Sequence, residues 1–148
     1  MQRQPNDELY LKKIDFVFYN AEEIKEAVFE IRQARRPEEA EVRNASYLPD
    51  PTAAAVIRKL EPIDAVEIKG YALPRPDEWL IVVEKTYNWC AQRGKHYLRA
   101  VQGRYSGEYY ARTCAEASIT VDKFYRIIEK ARNYAALQAA QRGLIFIE

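Results

Sequence analysis

The sequence has few of the residues on which several classes of protein depend. Of its 148 residues, five are glycine, two are cysteine and one is histidine. With so few glycines there is no Gly-rich phosphate-binding loop, and Cys90 and Cys114 lack the paired spacing of a zinc site. His96 has no nucleophile or orienting acid at a recognisable spacing. We therefore expect no enzyme, no bound metal and no cofactor.

Long apolar runs are also missing. No segment approaches the ~20 apolar residues that a membrane helix requires, and the first residues lack the apolar stretch of a signal peptide. We expect a cytoplasmic protein with no membrane partner, in which both cysteines are reduced and buried. The apolar fraction of 48% and the charged fraction of 30% are typical of a chain that folds around a core.

The net charge of +1 conceals an uneven distribution. Residues 1–50 have eight basic and eleven acidic side chains, a balance of −3, whereas residues 91–148 have ten basic and five acidic ones, a balance of +5. A basic C-terminal segment on a nearly neutral chain favours a polyanion partner for that segment. A solvated face without a partner is the alternative.

The N-terminal segment carries a heptad stripe. Asn6 is a suitable cap for the start of a helix, and Pro37 would stop it. The spacing predicts one helix roughly 40 Å long, with either its own core or a second copy of the chain against the stripe. We assign residues 1–60 to this helical arm and expect a homo-oligomer that assembles through its N-terminal helix. The stripe residues are Tyr10, Ile14, Val17, Ala21, Ile24, Val28 and Ile31.

A connector and a helical unit are expected after the arm. Asp50 and Pro51 predict the start of a further helix over 52–60. Three prolines and Gly70 predict an irregular connector over 61–76. Strand alternation is expected only over 144–147. The predicted class is therefore all-α, a long N-terminal heptad helix followed by a helical bundle over 77–148.

Residues 109–131 predict a helix-turn-helix within that bundle. Cys114 supplies the small residue where two helices cross, Ser118 forms the turn four positions later, and Thr120 caps the second helix. Ser118 replaces a turn glycine and Thr113 replaces an expected apolar residue. A helical hairpin with no nucleic-acid role is the alternative. The residues predicted to fill the small core are Ala117, Ile119, Phe124 and Ile127.

The predicted binding residues follow from this motif. Lys123 and Arg126 are the first candidates for base-edge or adjacent phosphate contacts, and Arg104, Arg112 and Lys130 would hold the DNA backbone. Among the nearby tyrosines, Tyr105, Tyr109, Tyr110 and Tyr125, packing is favoured over stacking on bases. The second helix and its cap contribute Thr120, Val121, Lys123, Tyr125, Arg126 and Lys130.

Several of these elements together resemble a known family. Arg104-Tyr105 leading into the helix-turn-helix, the sequence Leu48-Pro49-Asp50-Pro51-Thr52-Ala53 before a helix, and the charged N-terminal arm resemble the RinA and ArpU type of phage late-gene transcriptional activators. Their C-terminal part is similar to region 4 of sigma factors, and the resemblance spans roughly residues 14–145.

The resemblance implies a prophage-encoded transcriptional regulator. Its second helix, over 120–130, would enter the major groove of double-stranded DNA, and RNA polymerase would be a further partner. The alternative is a structural or DNA-packaging protein that assembles through the arm and has no transcriptional role.

Overall fold

The computed structural model describes residues 5–35 and 61–146, and within those ranges the chain is mostly helical, as predicted. The helices are α1 (Pro5–Tyr19), α2 (Ala21–Ala34), α3 (Pro76–Arg93), α4 (Lys95–Tyr105), α5 (Tyr110–Ala117) and α6 (Val121–Gln141), and the strands are β1 (Ala65–Ile68) and β2 (Tyr71–Pro74). None of these helices is long and apolar enough to cross a membrane. The helix predicted over 52–60 lies outside the described residues.

The chain divides into two compact units. The helical unit comprises Met1–Ala21 and Glu78–Glu148, and the hairpin unit comprises Glu22–Asp77. Helix α1 therefore belongs with the C-terminal helices, whereas the sequence placed it in a separate arm. The core of the helical unit takes buried side chains from α1, α3, α4 and α6, among them Ile14, Val17, Trp79, Val82, Val101, Phe124 and Ile127.

The prediction of one long N-terminal helix is wrong, because the helix is divided at Asn20. The side-chain amide of Asn20 donates to the carbonyl of Phe16 at 2.8 Å, so it shares an acceptor with the helix backbone. Helix α2 then starts at Ala21. The heptad residues on both sides of the break, such as Val17 and Ile24, are buried within the chain. Five of the seven stripe residues are buried, and Tyr10 and Ile31 are half-buried.

The predicted irregular connector contains a β-hairpin instead. Strands β1 and β2 pair antiparallel with Ile68 opposite Tyr71. The two turn residues, Lys69 and Gly70, both have positive φ angles, 50° and 76°. Positive φ at both positions defines the type I′ turn that matches the twist of a tight hairpin. The prediction of a strand over 144–147 is also wrong for its described part, since residues 144–146 form no strand.

Helix α2 and the segment around the hairpin are joined by ion pairs inside the hairpin unit. Arg32 Nη2 lies 2.7 Å from Asp77 Oδ1, and the other carboxylate oxygen of Asp77 accepts from the backbone of Ile63 at 3.2 Å. A more exposed pair joins Lys69 in the turn to Glu23 at 3.4 Å. These contacts, with the buried side chains of the hairpin, position residues 61–77.

Helices α4 and α5 meet at a glycine. A methyl group at Gly103 would lie 2.5 Å from Thr113 Oγ1 and 2.6 Å from its Cγ2. Thr113 is fully buried, and its hydroxyl lies 3.5 Å from the carbonyl of Tyr109 in its own helix. Because its hydroxyl has the Tyr109 carbonyl as a nearby acceptor, Thr113 can be buried at a position where the sequence pattern predicts an apolar residue.

Helix α1 is held to α4 and α6 of the same unit by a polar triad. Asp15 accepts from the Tyr105 hydroxyl at 2.7 Å and from Arg132 Nη2 at 2.9 Å. The Tyr105 ring also lies against Phe18, with centroids 5.1 Å apart. Burial of the ring and the adjacent Asp15 carboxylate raise the pKa of Tyr105 above its ordinary value.

Candidate functional site

The turn between α5 and α6 is built from hydrogen bonds at the end of α5. Ser118 is left-handed, with φ 56° and ψ 46°. The amide of Ser118 donates to the Ala115 carbonyl at 3.3 Å, and the amide of Ile119 donates to the Cys114 carbonyl at 3.0 Å. This pair of bonds is the Schellman motif, in which glycine normally takes the left-handed position. Ser118 therefore performs the turn that the sequence pattern assigns to glycine.

Helix α6 begins with the predicted cap. Thr120 is extended, with φ −77° and ψ 161°, and its Oγ1 accepts from the backbone amide of Lys123 at 3.1 Å. Asp122 lies in the first turn, where its negative charge interacts favourably with the helix dipole. The start of α6 is thereby fixed at residue 121, which determines which side chains face the core. Phe124 and Ile127 do so, as predicted.

Three cations lie along the exposed side of α6. Lys123, Arg126 and Lys130 are all exposed, and they are three and four residues apart. We call them the basic stripe. None forms an ion pair with any residue in the described ranges. Like charges at these spacings repel one another by a few tenths of a kcal/mol per pair. A bound polyanion would remove that repulsion.

An aromatic patch adjoins the start of α6. Tyr109, Tyr110, Tyr125 and Val121 are exposed, with Tyr125 half exposed and Val121 at 43%. The Tyr110 ring lies 4.9 Å from the Tyr109 ring and 6.4 Å from the Tyr125 ring, centroid to centroid. A hydrogen bond with Tyr109 raises the pKa of Tyr110. We call these four residues the tyrosine patch.

The tyrosines near the motif differ in their burial. Tyr105 is buried, as packing predicts, whereas Tyr109, Tyr110 and Tyr125 are not. The sequence favoured packing for all four; the structure buries Tyr105, whereas the three in the patch stay exposed while their rings lie against neighbouring rings. Position along the chain does not reveal which rings the neighbouring helices leave uncovered.

The two arginines expected to hold the DNA backbone have different surroundings. Arg112 is exposed, but its Nε lies 3.4 Å from Glu116 and 3.6 Å from Glu108, the same carboxylates that bind Arg99. The hydrogen bond from Arg99 is the main cause that lowers the pKa of Glu116. Arg104 is half-buried, and its Nε is buried without a hydrogen-bond partner. The structure therefore does not group Arg104 with the exposed residues of α6.

Two exposed carboxylates on α6 were missed by sequence reasoning. Asp122 precedes Arg126 by one helical turn, and Glu129 follows Tyr125 by one turn, so both share the outward side of the helix. Carboxylates in the major groove accept from the amino group of cytosine. The sequence signal for these two carboxylates is their spacing, because each lies four residues from a predicted binding residue, Arg126 or Tyr125.

A concave feature lies at the start of α4. It is a surface pocket of about 390 Å³, and no group of three metal-ligating side chains occurs among the described residues. The pocket wall carries charges of both signs, and its Arg99 is paired with Glu116. The pocket is lined by Lys95, His96, Leu98, Arg99, Gln102, Glu116 and Ala117.

No family model, curated protein or solved structure matches this chain. Along α6 the structure brings together six of the eight predicted residues, with cations, a hydroxyl and apolar groups exposed on one helix. Phosphate oxygens and base edges are the partners that such a mixture complements.

Proposed function

We propose that the chain is a sequence-specific DNA-binding transcriptional regulator of phage type, with α5 and α6 acting as a helix-turn-helix. The observation that carries the proposal is the basic stripe, three exposed cations on the helix that follows the turn, none of which pairs with a carboxylate within residues 5–35 or 61–146. An α-helix fits the major groove of B-form DNA, and the first residues of the second helix approach the base edges.

The residues of α6 take different roles in this proposal. Arg126, the middle cation of the basic stripe, contacts a guanine edge, a contact worth about 1–3 kcal/mol of discrimination when bidentate. Lys123 and Lys130 contact phosphates on either side, which gives affinity that falls with salt. Arg112 contributes less, because Glu108 and Glu116 already offset its charge.

The resemblance to RinA and ArpU type activators supports the transcriptional part of the proposal. It makes RNA polymerase the protein partner of the DNA-bound regulator. One short motif contacts few base pairs, so we also propose that the protein binds as a homo-oligomer. Because five of the seven heptad residues are buried, we propose that this assembly uses a different surface.

A structural or DNA-packaging role is the second candidate, and the tyrosine patch is the observation that favours it. Tyrosine is enriched at protein interfaces, and exposed apolar patches mark interaction sites. In that case the patch contacts a protein and the basic stripe is a solvated face.

Selection of bound duplexes from a random pool tests the proposal. The enriched duplex is then titrated with protein by fluorescence anisotropy. We expect the double variant Lys123→Ala/Arg126→Ala to bind about tenfold more weakly or worse. Lys85→Ala, an exposed lysine on α3 of the same unit, is the matched control and should bind like the wild type. Equal affinity for the double variant, or no enriched duplex, would contradict the proposal.

A further inference from the structure

The tyrosine patch has a composition that phosphate binding does not explain. Val121 and Tyr125 lie one helical turn apart on the exposed side of α6, and both are 43% exposed or more. Tyr110 extends the same surface, since its ring contacts that of Tyr125. A tyrosine hydroxyl can donate to a phosphate oxygen, but the methyl groups of Val121 and the tyrosine rings gain nothing from that contact. The patch therefore fits an apolar partner.

The position of the patch restricts what that partner is. It surrounds the first turn of α6, the part of a second helix that approaches base edges. Lys123, Arg126 and Lys130 outnumber the exposed carboxylates Asp122 and Glu129 on this side of α6, so its net charge is positive, which favours a polyanion over an apolar protein surface. On the major-groove edges of DNA the apolar group is the C5-methyl group of thymine.

We propose that Val121 and Tyr125 contact thymine C5-methyl groups in the major groove, which makes them specificity-determining residues for thymine-containing duplexes. The inference rests on the proposed function, because it requires α6 to enter the groove. Val121 presents two methyl groups at the helix start, and the Tyr125 ring offers a face or edge one turn later. Tyr110 supports the Tyr125 ring, so its role is positioning.

Replacement of thymine by deoxyuridine tests this inference, because it removes only the methyl group and leaves the hydrogen-bonding edge. The selected duplex pool is amplified with either thymidine or deoxyuridine triphosphate, and the full-length protein is titrated with both at one low salt concentration. We expect the wild type to bind the uracil duplex about fourfold more weakly for each methyl group that it buries.

Protein variants then separate a direct contact from a change in DNA shape. Val121→Ala and Tyr125→Ala should each reduce the preference for thymine over uracil, whereas Tyr125→Phe should keep it. Leu137→Ala is the control, because Leu137 is also exposed on α6 but lies roughly 24 Å from Val121 and roughly 18 Å from Tyr125 along the helix axis. It should keep the full preference. Both alanine variants remove exposed side chains, so the fold is preserved.

Each outcome decides between the inference and the function on which it rests. Equal binding of thymine and uracil duplexes by the wild type overturns the inference and leaves the proposed function standing. A preference that survives in Val121→Ala and Tyr125→Ala also overturns it, because the effect then comes from DNA shape. Absence of binding to any duplex at low salt overturns the proposed function itself.

Discussion

The triad of Asp15, Tyr105 and Arg132 gives a quantitative test of how α1 is held. Asp15→Asn keeps the shape of the side chain and an acceptor for Tyr105, but it removes the charge opposite Arg132. Loss of one partner from a buried ion pair costs about 3–5 kcal/mol. The side chains of Arg132 and Asp15 are 22% and 21% exposed, so solvent screens part of that cost. We therefore expect a loss of about 2 kcal/mol.

The assay is urea unfolding followed by tryptophan fluorescence, since Trp79 and Trp89 lie in the same unit as the triad. A loss of about 2 kcal/mol lowers the midpoint by about 1 M at an unchanged slope. Tyr105→Phe, which removes only a hydroxyl, should cost about 1 kcal/mol. Glu129→Gln is the matched control and should stay within about 0.5 kcal/mol of the wild type. The reasoning is refuted if Asp15→Asn unfolds at the same urea concentration as Glu129→Gln.

Three further predictions concern the helical unit. Because Arg99 lowers the pKa of Glu116, the stabilisation from Glu116 should be complete above its ordinary pKa of 4.5 and be lost as the pH falls through the lowered pKa of the folded state. The difference in unfolding free energy between wild type and Glu116→Gln, measured by urea unfolding, should therefore shrink as the pH is lowered from 7; a constant difference contradicts this. Gly103→Ala should destabilise by about 1–3 kcal/mol through its clash with Thr113. A second change, Thr113→Ala, should lower the added cost of the methyl group, and strict additivity would argue against the clash. Burial raises the pKa of the Cys90 thiol to about 11, so in a Cys114→Ala background it should react with a disulfide reagent at pH 8 only after unfolding; rapid reaction of the native protein would refute the burial.

Local sequence signals were sufficient to predict where α6 starts. Thr120 caps the helix through a bond to a residue three positions away, and capping depends on that local geometry alone. The buried positions Phe124 and Ile127 then follow from helical period. The predicted exposed residues of α6 follow in the same way.

The break at Asn20 and the hairpin were not predictable from the same kind of signal. The apolar spacing continues across Asn20 because α2 restarts at the next residue, so the periodicity does not detect one turn residue. The hairpin has strands of only four residues, and its turn requires a positive φ at Lys69, which lysine seldom adopts. Tertiary packing decides such cases.

Exposure at the candidate site also depends on tertiary packing. Arg104 carries the same charge as Arg126, yet its Nε is buried while Arg126 is exposed. Tyr105 and Tyr109 are four residues apart, and only the first is covered by neighbouring helices. Residue type and spacing identify candidate arginine and tyrosine side chains. The packing of α1 and α4 then determines which of these side chains stay exposed and can contact a ligand.

Mapping of the bound duplex onto the protein tests the central claim most directly. Backbone amide chemical shifts of the isotope-labelled full-length chain are recorded with and without the selected duplex at low salt. The account predicts the largest changes over residues 119–130 and at the start of α5, with little change near Leu137. Changes confined to α2 or to the hairpin over 65–74, with α6 unaffected, would contradict it.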